Sequence, residues 1–99
     1  MDRFFKGIDF IEQSLTRKIM VDDIAKAACY STFHFCRMFK ALTGESVMAY
    51  VRRRRLSVAA ERLMKEDMRL IDLALDCQFE SHEAFSRAFK KMFQLSPKE

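Results

Sequence analysis

The chain writes one pattern twice. Residues 31–40 read STFHFCRMFK and residues 81–90 read SHEAFSRAFK. At an offset of 50, Ser31 falls on Ser81, Phe35 on Phe85, Arg37 on Arg87, Phe39 on Phe89 and Lys40 on Lys90. Upstream the offset is 49, where Asp23-Ile24-Ala25 matches Asp72-Leu73-Ala74 and Tyr30 matches Phe79, so Glu80 is the inserted residue. A chain of 99 residues that repeats itself over this length must build one small supersecondary unit in duplicate. Any role given to the first copy has to make sense for the second.

The unit is helical. Phe4, Ile8, Ile11 and Leu15 recur at spacings of four, three and four, which predicts an amphipathic helix over Asp2–Thr16. After a break at Arg17–Met20, Asp22 and Asp23 suit the positive end of a second, short helix. Ser31 is a fitting N-cap for a third helix ending near Gly44. Ser46 caps a longer fourth helix reaching about Lys65, with Val47, Tyr50, Val51, Val58, Leu63 and Met64 among its apolar positions. A turn at Glu66–Arg69, a short helix over Ile71–Cys77 and a last clear helix from Ser81 to about Phe93 follow, and Ser96-Pro97 closes the pattern. Each half is thus a short helix, a tight turn and a second helix, the outline of a helix-turn-helix. The expected fold class is all-α: a first helix-turn-helix subdomain at 1–45, a linker helix at 46–65 and a second helix-turn-helix subdomain at 66–99.

On a helix, Phe35, Phe39 and Leu42 share a face, with Met38 close by, and Phe85, Phe89 and Met92 do the same in the second copy. This stripe reads as core, since burying one Phe is worth about 1.5–3 kcal/mol. The opposite face carries Thr32, Phe33, Cys36, Arg37 and Lys40 in one copy and His82, Glu83, Ser86, Arg87 and Lys90 in the other. A merely solvated face would not need an arginine repeated at the same helical phase. Two readers of nucleic acid would, because Arg is the commonest donor to base edges and also a good phosphate ligand. The linker agrees: about 20 helical residues span about 30 Å, close to the ~34 Å of one turn of B-DNA. The two second helices are therefore expected to enter successive major grooves of a duplex.

Composition narrows the remaining classes. With 49% hydrophobic residues the chain is not disordered, and one Pro and two Gly leave few helix breakers. No apolar run approaches the ~18 residues of a membrane span, and MDRFFKG is no signal peptide, so a soluble cytoplasmic chain with no membrane partner is expected. Cys29, Cys36 and Cys77 are odd in number and lack a CxxC pair, so reduced thiols are expected. The net charge of +4 is mild, but its distribution is not even: residues 1–50 carry seven cations and six acids, residues 51–99 eleven and eight. Four consecutive arginines, Arg52 to Arg55, fan through about 300° of a helix and cannot all face one ligand. One or two are expected to touch phosphate, adding salt dependence rather than sequence preference.

Cys29-x4-His34 and Cys77-x4-His82 invite a metal reading. Tetrahedral zinc needs four ligands, and each half offers a pair, joined in the first by Cys36, so no metal site and no cofactor are expected. His34 reads as a packing residue beside the apolar stripe and His82 as an exposed one. With only Gly7 and Gly44 there is no phosphate-cradling glycine loop, and Ser31 and Ser81 serve better as caps than as nucleophiles, so no enzyme is expected. A single-stranded or RNA target would want exposed aromatics, for which only Phe33 is a candidate.

At this point the residues resemble a known family, the AraC/XylS class of bacterial transcription regulators. The resemblance runs through Ala25, Tyr30-Ser31, Phe35-Cys-Arg37-Met-Phe39-Lys40, Thr43-Gly44, Ser46, Tyr50 and Arg55-Leu56. It continues through Ile71-Asp72-Leu73-Ala74, Phe79-Glu80-Ser81, Phe85-Ser-Arg87-Ala-Phe89-Lys90 and Ser96-Pro97, nearly the whole chain. It implies two homeodomain-like helix-turn-helix subdomains, about seven helices in all, binding an asymmetric double-stranded DNA site as one unit. Carried onto this sequence, the base-facing residues are Phe33, Cys36, Arg37, His82, Glu83, Ser86 and Arg87. The backbone-facing residues are Ser31, Thr32, Lys40, Ser81, Lys90 and Lys91. RNA polymerase is the further partner such a regulator implies. So is a small-molecule effector taken by a domain outside this chain, of the GyrI-like kind, which would make these residues the N-terminal part of a longer protein.

The departures from the family pattern are local. Cys29 and Gln78 stand where a glycine is usual before the aromatic of each turn, and a φ above zero there would cost about 1 kcal/mol each. Met20 replaces a Ser or Thr N-cap, and Val47 replaces the Pro that usually follows Ser46. From a different class, the alternative is a helical protein-interaction module whose aromatic and basic face binds an acidic partner.

Overall fold

The computed structural model describes residues 2–97. Six helices follow in order: α1 Asp2–Gln13, α2 Val21–Ala27, α3 Thr32–Thr43, α4 Val47–Lys65, α5 Leu70–Asp76 and α6 His82–Phe93. There is no strand among the described residues, and no helix is long and apolar enough to cross a membrane. The count is six rather than about seven. The chain divides within α4 into two compact units, Met1–Arg52 and Arg53–Glu99.

In the first unit α1 packs on α2 and α2 on α3. Phe35 and Phe39 of α3 are fully buried, with Phe4, Ile11, Leu15, Ile19, Ile24, Val47 and Val51 around them. The rings form a chain, Phe4 to Phe35 at 5.7 Å, Phe35 to Phe39 at 5.9 Å and Phe39 to Tyr50 at 5.4 Å. Gly7 sets the approach of α1: a Cβ there would lie 2.9 Å from the Phe35 ring and 3.2 Å from Ala28 Cβ. Only a bare backbone fits. Leu42 does not join this core as the stripe predicted; it is 54% exposed. Phe35 and Phe39 already meet the α1 and α4 side chains, and Leu42, three residues on, emerges past the edge of the neighbouring helices.

α1 ends at Gln13, not at Thr16. A tight turn replaces its last three residues, with Ser14 N–H donating to Ile11 O and Arg17 N–H to Ser14 O, both at 3.0 Å. Ser14 is fully buried yet satisfied, because Arg17 Nη2 donates to its hydroxyl at 2.7 Å. Leu15 still reaches the core, but from a turn.

In the second unit α5 packs on α6, around Leu56, Ala59, Leu73, Ala74, Cys77, Phe79, Phe85 and Phe89. Phe79, Phe85, Phe89 and Phe93 repeat the ring chain at 5.4, 5.7 and 4.6 Å. Arg62 ties α4 to α5, its Nη2 lying 3.2 Å from Asp76 Oδ2, and its Nε 3.5 Å from Glu66 just past the end of α4. Met64 points away from this core and is 88% exposed. Within the arginine run, Arg55 is buried and burial lowers its pKa, although a guanidinium keeps its charge at neutral pH. It occupies the i+4 row with Val51 and Ala59 and is a structural residue.

The turns show where the sequence is under tension. Cys29 and Gln78 have φ of 62° and 65°, the left-handed region. Cys29 N–H donates to Lys26 O and Tyr30 N–H to Ala25 O, both at 3.0 Å. Gln78 N–H donates to Leu75 O and Phe79 N–H to Ala74 O at the same distance. This paired arrangement is the Schellman stop, which normally employs glycine. Gln94, at φ 66°, ends α6 as Gly44, at φ 81°, ends α3. Among the described residues, three of the four left-handed positions therefore carry side chains. Cys29→Gly relieves about 1–2 kcal/mol of left-handed strain and returns roughly 0.4–1 kcal/mol through a more flexible unfolded chain. A net gain of about 0.5–1 kcal/mol is expected, read as a higher urea midpoint at unchanged slope, whereas Cys29→Ser should give none.

Candidate nucleic-acid interface

Each second helix is aimed by its turn. Ser31 and Ser81 are the N-caps, their hydroxyls accepting from His34 N–H and Ala84 N–H at 3.1 Å. This satisfies donors that a helix start leaves orphaned. Thr32, half-buried, donates to Asp22 Oδ1 at 2.8 Å and pins the start of α3 to α2. Met20 offers α2 no side-chain cap, and the Asp23 carboxylate instead accepts its N–H at 3.1 Å. A residue that the sequence reading missed, Arg3, closes the first turn. Its guanidinium lies 4.1 Å over the Tyr30 ring and donates to Ala28 O at 3.4 Å and to Cys29 O. Its partners are backbone carbonyls, which no side-chain pattern announces.

With the Phe stripe buried, α3 turns Phe33, His34, Arg37, Lys40 and Ala41 outward, with Cys36 half-buried between them. Phe33 is 71% exposed, unusual for a phenylalanine, and the Arg37 guanidinium lies 5.5 Å over its ring. Phe33, Cys36, Arg37, Lys40 and Ala41 line a shallow, largely apolar depression. Lys40 also reaches Gly44 O at 3.1 Å, where a cation suits the helix end. His34, expected to pack on the stripe, is exposed; it stands at the phase just beyond it, and only its edge meets Tyr30, at 5.2 Å.

α6 presents the same face with other residues. Glu83, Arg87, Lys90 and Lys91 are exposed, Ser86 is half-buried, and His82 is half-buried rather than fully exposed. His82 Nε2 lies 3.0 Å from Glu83 Oε2. Arg87 has no hydrogen bond or ion pair to another described residue, so its donors face solvent.

Cys77 is buried in its unit's core, its thiol donating to Arg55 O at 3.8 Å, and burial pushes its pKa up. Among the described residues no group of three or more His, Cys, Asp or Glu could hold a metal ion.

Comparisons with known proteins bear on the family and the fold. A family described as a helix-turn-helix domain matches residues 24–99. The chain is 48% identical over 92 residues to YbfP of Bacillus subtilis, described as an uncharacterized HTH-type transcriptional regulator. That match covers 93% of this chain and 31% of YbfP, so the chain spans about a third of that relative's length. In fold it is similar to a transcriptional regulator with an AraC-type DNA-binding domain from Chromobacterium violaceum, with a TM-score of 0.93 at 24% identity over 98% of this chain and 87% of the other. It is also similar to the DNA-binding domain of the global transcriptional factor AdpA, solved in complex with a target DNA, with a TM-score of 0.89 at 24% identity over 99% of this chain and 88% of that one. The chain belongs to the helix-turn-helix domain family whose model matches residues 24–99, and its fold is similar to that of AraC-type DNA-binding domains.

Proposed function

We propose that α3 and α6 are reading helices which enter successive major grooves of an asymmetric duplex site, joined by α4 as the linker. The observation that carries this is the duplicate: two capped helices, each rooted by a buried pair of phenylalanines, each turning one arginine outward at the same position. Phe33, Cys36 and Arg37 face bases in one half-site, and His82, Glu83, Ser86 and Arg87 in the other. Ser31, Thr32, Lys40, Ser81, Lys90 and Lys91 lie against the sugar-phosphate backbone and set the register. The DNA-binding domain of AdpA, which is similar in fold, was solved in complex with a target DNA, and this supports the reading.

The part played by the chain is binding rather than catalysis, inside the cytoplasm, with any contact to RNA polymerase or effector response supplied by the regulator as a whole. A mobility-shift assay on random genomic fragments tests the reading. Retention of particular duplexes, with affinity falling steeply as salt rises, is expected. No retention even at low salt would defeat it and return the protein-interaction alternative to the front.

A further inference from the structure

The two reading faces are not copies, and their difference is chemically ordered. At the offset of 50, Arg37 falls on Arg87, while one helical turn earlier Phe33 falls on Glu83. All four are exposed on their own helices. A turn of four residues is about 6 Å along the axis, less than two base-pair steps of ~3.4 Å. Each face therefore reads two nearby base pairs, one through a shared Arg and one through a position that is apolar in α3 and acidic in α6.

We propose, resting on the DNA-reading function above, that Phe33 and Glu83 are the residues that make the two half-sites different. The α3 half-site pairs a guanine with a thymine, and the α6 half-site pairs a guanine with a cytosine. Arg donates to guanine O6 and N7 in both. Phe33 offers no hydrogen bond and packs on the thymine C5-methyl, the apolar feature of the major groove. Its 71% exposure leaves that ring surface available, and the Arg37 guanidinium above it holds donor and ring as one unit. Glu83 is an acceptor only, and the base that offers a major-groove donor without a neighbouring acceptor on its own edge is cytosine, through N4.

Glu83 also sits in the first turn of α6, where an acid suits the helix dipole. That electrostatic role asks nothing of its phase, and α2 and α5 meet it with Asp22, Asp23 and Asp72. On α6 the carboxylate shares a face with Arg87, yet its nearest charged or titratable neighbour is His82, with Nε2 3.0 Å from Oε2. The arginine donors are left for another acceptor, and the second carboxylate oxygen is left for a donor.

Selection from a randomised duplex pool, with the wild-type chain and with Glu83→Gln, tests the assignment. Both side chains are exposed and of one size, so folding is not at stake. The wild type should enrich one half-site with thymine beside or next but one to guanine, and another with cytosine in the same relation. Glu83→Gln should turn that cytosine into adenine, which a carboxamide reads, and leave the thymine half-site alone. In the selected duplex, deoxyuridine for that thymine should weaken binding by about three- to fivefold, the burial of one methyl, and this loss should vanish in Phe33→Ala. Enrichment of a site whose cytosine is unmoved by Glu83→Gln, or whose thymine can be exchanged for deoxyuridine without loss, overturns the assignment and leaves the DNA-reading function standing. Enrichment of no duplex at all overturns both.

Discussion

Phe35→Ala is expected to lower the stability of the first unit by about 3–5 kcal/mol, the range for emptying a buried phenylalanine site. The upper half of that range is favoured by the surroundings. Phe35 is fully buried, and its ring meets Phe4, Phe39 and Tyr30 at 5.7, 5.9 and 6.4 Å. Gly7 brings the α1 backbone against the same ring, so the void would be walled by main chain that cannot collapse into it. Domains retain only about 0.05–0.15 kcal/mol per residue, so a unit of some fifty residues has a total stability of the same size as this loss. The measurement is convenient because both tyrosines, Tyr30 and Tyr50, belong to the first unit and pack on Phe35 and Phe39. Their near-ultraviolet dichroism should be lost or melt at much lower temperature. A shift equivalent to less than about 1 kcal/mol would contradict the packing described, since even a half-buried ring is worth more.

The repeat made most of this architecture legible before any coordinates. It placed the N-caps Ser31, Ser46 and Ser81, the buried Phe pairs and the exposed Arg37 and Arg87, because each follows from helical period or a capping side chain. Where the reading failed, the deciding contacts were tertiary or lay in the backbone. Leu42 has the period of the stripe, but only the positions of neighbouring helices decide that the stripe ends before it. Ser14 looks like an ordinary surface residue until Arg17 folds back on it. Cys29 and Gln78, which stand where a glycine is usual, do take left-handed φ as that departure implied, whereas Gln94 does so with no such signal. The end of α1 falls three residues short of Thr16 because a backbone turn begins at Ser14. The candidate interface shows the same division. Phase alone put Phe33, Arg37, Glu83 and Arg87 on the exposed face where they are found, whereas Arg3 escaped notice because it grips carbonyl oxygens, and His34 was misplaced by one increment of helical phase.

Arg87→Ala is expected to weaken binding to the selected duplex by about 1–3 kcal/mol, or roughly five- to 150-fold, and to abolish base preference only at its own position. Arg37→Ala should do the same in the other half-site. Neither loss can be blamed on the fold. Arg87 is exposed without a partner among the described residues, and Arg37 leans on Phe33 at the surface, where such a contact adds at most about 0.5–1 kcal/mol. Melting temperatures should therefore stay close to wild type. Lys90→Ala is the contrast: a phosphate contact carries no sequence information, so its removal should weaken all duplexes alike and flatten the dependence of log K on log salt by about one unit. Arginine in the groove and lysine on the backbone are distinguished by which slope changes, specificity or salt. If Arg37→Ala and Arg87→Ala both kept full affinity at fixed salt, the outward arginines would be solvated side chains and the duplicated helix would need a different explanation.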